Sequence, residues 1–171
     1  MAIIRVAVIG AGQWGPNLIR NFHNKQTSEV VWIIDRDAAR LEEVHAHFPD
    51  VQVAKDPEQA LRDPSVHAVV VATPTSTHYA LAKEALERRK HVLVEKPLTT
   101  EVKQGLGLLD LATKYGLTLM VGHVFVYNPA VQKVKISRCR APWERVLRVD
   151  GPYESWTRSR GCERCVGSCG A

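Results

Sequence analysis

Cysteine is missing from the first 138 residues of this 171-residue chain; all four, Cys139, Cys162, Cys165 and Cys169, come after that point. The body is therefore not a disulfide scaffold. Long apolar runs are missing too. No stretch approaches the eighteen or so residues that a membrane-spanning helix needs. The N-terminal apolar run is short and broken by Arg5, so it does not read as a signal peptide. A cytoplasmic protein with no membrane partner is the expectation. A basic stripe interleaved with aromatics is also absent. Of the net charge of +5, residues 136–171 supply +3 (seven arginines against four acids), which leaves +2 for residues 1–135. Nucleic acid is accordingly not an expected partner. Apolar residues at 45% and charged residues at 24% fit a soluble globular chain, long enough for one good core.

What is present begins at Ile3. Residues 3–15 read IIRVAVIGAGQWG, a β-branched apolar run that enters a complete G-x-G-x-x-G at Gly10, Gly12 and Gly15. Such a run is composed like a strand buried on both faces. The first glycine allows a tight turn, the second lets a pyrophosphate approach the backbone, and the third lets the following helix pack on the strand. Unpaired N–H groups at that helix start would hold the phosphates. Gln13 and Trp14 lie inside the loop, with Trp14 placed to pack beside a cofactor. Asp35 closes a second apolar run, VVWIID, twenty residues after Gly15. A carboxylate there accepts hydrogen bonds from an adenosine ribose and disfavours a 2′-phosphate, which favours NAD. Arg36 and Arg40 could pair with that phosphate if Asp35 turned away, so NADP stays open.

Apolar spacing and punctuation then predict an alternating chain. Strands are expected at residues 3–9, 29–34, 51–53, 68–72, 91–94 and 117–121. Helices are expected from Pro16 to Asn24, from an Asp37 cap to about Phe48, after Asp56, from the end of a loop at residues 73–78 to about Lys90, and from Thr100 onward. In the last of these, Val102, Leu106 and Leu109 repeat at three and four. This alternation implies an α/β fold with a doubly wound parallel sheet and right-handed crossovers. Ligands of such sheets sit beyond the carboxyl ends of the strands. Polar clusters fall at five of those ends: the glycine loop, Asp35-Arg36, residues 73–78, Glu95-Lys96 and Gly122-His123. His45 and His47, two apart on a helix, do not share a face and suggest no metal pair.

The segments AVIGAGQWGPNLIRNF, ATPTSTH, EKP and GHVFVYNPAV, in this order and spacing, resemble the N-terminal half of the Gfo/Idh/MocA oxidoreductases over about residues 1–135. The resemblance implies a Rossmann domain at residues 1–121, a crossing to a substrate domain at 122–135, and hydride transfer between NAD(P) and a hydroxyl or keto carbon of a sugar, nucleotide sugar or cyclitol. It also implies that the family's C-terminal α+β substrate domain, often the site of homo-oligomer contacts, is missing here. Lys96 of EKP would lie near the reacting carbon, polarise its oxygen and assist proton transfer. Glu95 would contact the nicotinamide ribose, orient Lys96, or form a structural ion pair. Thr73, Pro74 and His78 would line the cofactor groove, with His78 open to a second reading as a helix-start cap. His123 would touch substrate or nicotinamide, or serve as a structural link residue, and Tyr127 more weakly would touch substrate. The rival reading is a dinucleotide-binding module without turnover.

From Ile136 the likeness stops. Lysine disappears, and Cys162-x2-Cys165-x3-Cys169 imitates a metal half-site. Suitable synonymous codons for residues 150–171, read one base later, spell TDRMNLGPVREDVNAVWDLAAH, which resembles the family's continuation. The expectation is a frameshifted, poorly ordered tail that truncates the enzyme and impairs turnover, with no metal site.

Overall fold

The computed structural model describes residues 3–133. The expected out-of-frame tail and its cysteines lie outside the described residues. Of those described, residues 3–123 form one compact unit, and residues 124–133 belong to a second.

In the first unit, β1 (Ile4–Ile9), β2 (Ser28–Ile34), β3 (Gln52–Ala54), β4 (Ala68–Val71), β5 (His91–Val94) and β6 (Leu119–Val121) form one sheet in the order β3-β2-β1-β4-β5-β6. Every pairing is parallel. The crossovers are α1 (Gly15–His23), α2 (Ala38–His47), α3 (Pro57–Arg62), α4 (Thr75–Glu87) and α5 (Val102–Tyr115). This is the doubly wound Rossmann-type arrangement that the alternation predicts. Among the described residues no helix is long and apolar enough to cross a membrane.

β1 is buried on both faces, which explains its unbroken apolar composition. Val6 and Val8 belong to a core with Ile19, Ile33, Leu41 and Val44. Ala7 and Ile9 belong to another with Val69, Leu86, Leu108 and Ala112. Asp37 and Asp56 each cap their helix by accepting from the backbone N–H two residues on, the local bond that makes aspartate a good N-cap.

The sequence expectation departs from the fold in two places. The loop after β4 is shorter than residues 73–78, because α4 begins at Thr75 and takes His78 into its first turn. On α5, Val102, Leu106 and Leu109 face outward, 81%, 57% and 55% exposed, while Leu108 and Ala112 face the core. Two adjacent stripes on this helix are apolar, and periodicity does not choose between them. The small residue chooses: Gly105 lets the inner stripe approach Leu98 and Thr99, where a Cβ would already be 3.3 Å from Thr99 Oγ1.

The amino-terminal rim of the sheet carries a polar buttress away from the expected site. Trp32 Nε1 donates to Asp63 Oδ2 at 2.9 Å, and Ser65 donates to Oδ1 from both its N–H and its hydroxyl. The Ser65 hydroxyl first, and then Trp32, hold the Asp63 carboxyl down from its usual 3.8 to about 2. Lys90, buried, donates Nζ to Asp63 O and Val66 O at 2.8 and 2.6 Å. A carboxylate lowered in the folded state adds stability above its unfolded pKa and loses it as pH falls through the folded value. Asp63→Asn is therefore expected to flatten the decline in urea midpoint between about pH 4 and pH 2, leaving midpoints at neutral pH lower than those of the parent.

Candidate functional site

All six strands end flush. Ile9 is in register with both Ile34 and Val71, Ile34 with Ala54, Val71 with Val94, and Val94 with Val121. The next residues leave the sheet together, each stitched to its neighbour: Gly10 N to Ile34 O, Ala72 N to Ile9 O, Glu95 N to Val71 O and Gly122 N to Val94 O, at 2.7 to 2.9 Å. One rim thus collects the glycine loop, Asp35, Thr73, Glu95 and Gly122. Strands about 4.8 Å apart put roughly 14 Å between the ends of β2 and β5. The winding reverses between β1 and β4, the crevice where such sheets bind ligands.

The glycine loop has the shape a pyrophosphate needs. Gly10 turns at φ +103°, and a Cβ there would be 2.6 Å from Ala72 O. A Cβ on Gly15 would fall on Gly10 O, so α1 starts as close to β1 as a backbone allows. At Gly12, by contrast, a Cβ would meet nothing closer than Arg40 Nη1 at 3.4 Å. Protein packing does not demand that glycine; open backbone beside a ligand does. Trp14 occupies the N-cap of α1 without a side-chain capping bond, and Pro16 removes one donor from the first turn. No side chain of the cap competes there for the N–H groups that would meet an anion. Gln13 and Trp14 are exposed beside the loop.

Asp35 does more than wait for a ribose. Its Oδ2 accepts the Ala11 N–H at 2.7 Å, and its Oδ1 accepts the Asp37 N–H at 2.9 Å. The side chain is only 10% exposed, and Arg40 Nη1 stands 3.8 Å from Oδ2. The carboxylate thus latches the glycine loop to the end of β2 and retains lone pairs for a ligand hydroxyl. Arg36 is exposed. Arg40 also borders a cleft of about 520 Å³ between α1 and α2, beside Gly12 and Gln13.

At the other end of the rim, Glu95 Oε2 accepts the Lys96 N–H at 3.2 Å. Its carboxylate lies where a Cβ on Gly122 would be, 3.0 Å from Oε1. Lys96 is exposed, and the Lys96-Pro97 bond is cis. No ion pair or hydrogen bond is found on Lys96 Nζ among the described residues. Thr73 is half-buried, with its hydroxyl accepting from Thr77 Oγ1 at 2.7 Å, and Pro74 is exposed at the start of α4. His78 does not offer its ring to the groove. It is 1% exposed, with Nδ1 2.8 Å from Pro97 O and Nε2 2.8 Å from Thr73 O. No local signal announces the Pro97 contact, which spans nineteen residues. His123 is exposed at the end of the first unit, and its backbone N–H donates to Val121 O. Tyr127, 68% exposed, belongs to the second unit, in a 3₁₀ turn at Val124–Tyr127. Among the described residues no cluster of His, Cys, Asp or Glu could hold a metal.

Residues 4–123 match the family described as "Oxidoreductase family, NAD-binding Rossmann fold", GFO_IDH_MocA. The chain belongs to the Gfo/Idh/MocA oxidoreductases. It is 36% identical over 137 residues to the inositol 2-dehydrogenase of Mycolicibacterium smegmatis, covering 79% of this chain and 40% of that protein. To the UDP-N-acetylglucosamine 3-dehydrogenase of Acidithiobacillus ferrooxidans it is 32% identical over 150 residues, covering 83% and 44%. Among solved structures it is similar to GenD2 from gentamicin A biosynthesis in complex with NAD, at TM-score 0.76 and 30% identity, covering 81% of this chain and 40% of that one. It is also similar to KijD10, a 3-ketoreductase from Actinomadura kijaniata in complex with NADP and TDP-benzene, at TM-score 0.72 and 31% identity, covering 77% and 41%. The chain spans about two fifths of the length of these Gfo/Idh/MocA relatives.

Proposed function

We propose that this chain is the cofactor-binding part of an NAD(P)-dependent oxidoreductase acting on a hydroxyl or keto carbon of a sugar, nucleotide sugar or cyclitol. The observation that carries the proposal is the flush carboxyl rim, which puts an uncapped helix start and open glycine backbone at one end and the exposed Lys96 at the other. The relatives named for inositol and UDP-N-acetylglucosamine support the substrate class.

In this reading Gly10, Gly12, Gln13, Trp14 and Gly15 hold the pyrophosphate, and Asp35 takes the adenosine ribose. Asp35, held by the Ala11 and Asp37 N–H groups, favours NAD, and Arg36 and Arg40 would receive the 2′-phosphate of NADP if that carboxylate turned away. Thr73, Pro74 and Glu95 line the way to the nicotinamide, which when bound supplies or accepts the hydride. The Lys96 ammonium polarises the substrate oxygen and gives up a proton to it during reduction, taking one back during oxidation. His123 contacts the sugar. Residues 1–121 are the cofactor domain and 122–135 the crossing toward a substrate domain.

The test is an NADH titration of the full chain, followed by nucleotide fluorescence, with and without candidate sugars and their keto forms. Saturable one-to-one binding is expected, with oxidation of bound NADH when the matching keto compound is added. Binding without oxidation across the panel would leave a dinucleotide-binding module. No binding would end the proposal.

A further inference from the structure

Two carbonyl oxygens confront the two ring nitrogens of His78. Nδ1 lies 2.8 Å from Pro97 O and Nε2 2.8 Å from Thr73 O, so the ring bridges the loop after β4 and the turn after β5. At 1% exposure the ring has no access to bulk water, and a buried polar group left without its partner is costly. We infer that His78 is a positioning residue for Lys96, clamping the loop after β4 to the turn that presents the lysine.

The connection to Lys96 is short. Pro97 O, pinned by Nδ1, belongs to the residue after Lys96, and Glu95 N, on the other side, is pinned to Val71 O. The lysine's own Nζ has no hydrogen bond or ion pair among the described residues to set its direction. Backbone placement therefore decides where the amine points, and His78 fixes that backbone against Thr73 O. The inference rests on the dinucleotide reading for its consequence, though not for the clamp itself.

The test is protection of Lys96 from an amine-acylating reagent by NADH, read by mass spectrometry on the full chain. Replacement His78→Leu, with no donor, is expected to weaken NADH binding about tenfold and to abolish protection, while His78→Gln, with one amide group, restores part of both. A folded His78→Leu protein with parental affinity and protection would overturn the positioning role. Should the leucine variant not fold, the glutamine variant decides: reduced protection supports the positioning role, and full parental protection overturns it. Failure of NADH to bind the parent would refute the dinucleotide reading, and the rate of Lys96 acylation without nucleotide, expected to change in His78→Gln, would still decide the clamp.

Discussion

Gly15→Ala is expected to abolish NADH binding and to lower stability by roughly 3 kcal/mol, at the upper end of overpacking costs. The added methyl would overlap Gly10 O and lie 2.9 Å from Gly10 C. Neither partner can retreat cheaply. Gly10 is tied to Ile34 O by its N–H and backed by Ala72 O, where its own turn at φ +103° leaves no room. The only relief is to lift α1 off β1, which opens the buried Ile19 contact and tilts the phosphate-facing N–H groups away. A urea melt and an NADH titration on the same sample check both effects. At Gly12 the same substitution meets only an arginine tip at ordinary contact distance, so Gly12→Ala should leave the melt unchanged and weaken binding. That split separates a loop shaped by packing from one shaped by a ligand.

Lys96→Ala is expected to do the reverse. The side chain is exposed and makes no polar bond within the described fold, so stability should move by no more than about 0.5 kcal/mol. NADH should still bind, because the pyrophosphate and ribose contacts lie at the other end of the rim. Turnover with a matching sugar should fall by about 10² to 10⁴, the range for loss of a general acid–base group. Unchanged turnover would remove Lys96 from the chemistry; a collapse of NADH affinity would make it a binding residue instead.

The architecture was legible because its signals are local. β-branched runs between helix starts and stops predict a parallel sheet. The Asp37 and Asp56 caps are written within two residues of the bonds they make. The glycine loop, Asp35 and EKP can be located on strand ends by counting alone, and flush register then brings those ends to one rim. Long-range contacts were not legible. Nothing near His78 in sequence announces Pro97 as its partner, so a residue expected to line the groove is instead buried beneath it. Asp35 reads as a ribose acceptor, yet the latch to Ala11 across twenty-four residues appears only in the fold. His67 and His91 are exposed, and each also accepts a backbone N–H, from Arg5 and Thr118 respectively, across 62 and 27 residues. Lys90 looks like an ordinary charged helix end, but two carbonyls and the crowding of the amino-terminal rim bury it. On α5 the pattern was visible and its direction was not, since two apolar stripes competed and the glycine decided.

The central claim is that one dinucleotide lies across this rim with its reactive ring beside the lysine. The most direct test is the structure of the full chain crystallised with NADH. The account predicts pyrophosphate on the backbone of residues 12–15, a ribose hydroxyl on Asp35, and the nicotinamide ring within contact of the Lys96 side chain. A dinucleotide bound elsewhere, or bound with its nicotinamide far from Lys96, would contradict it.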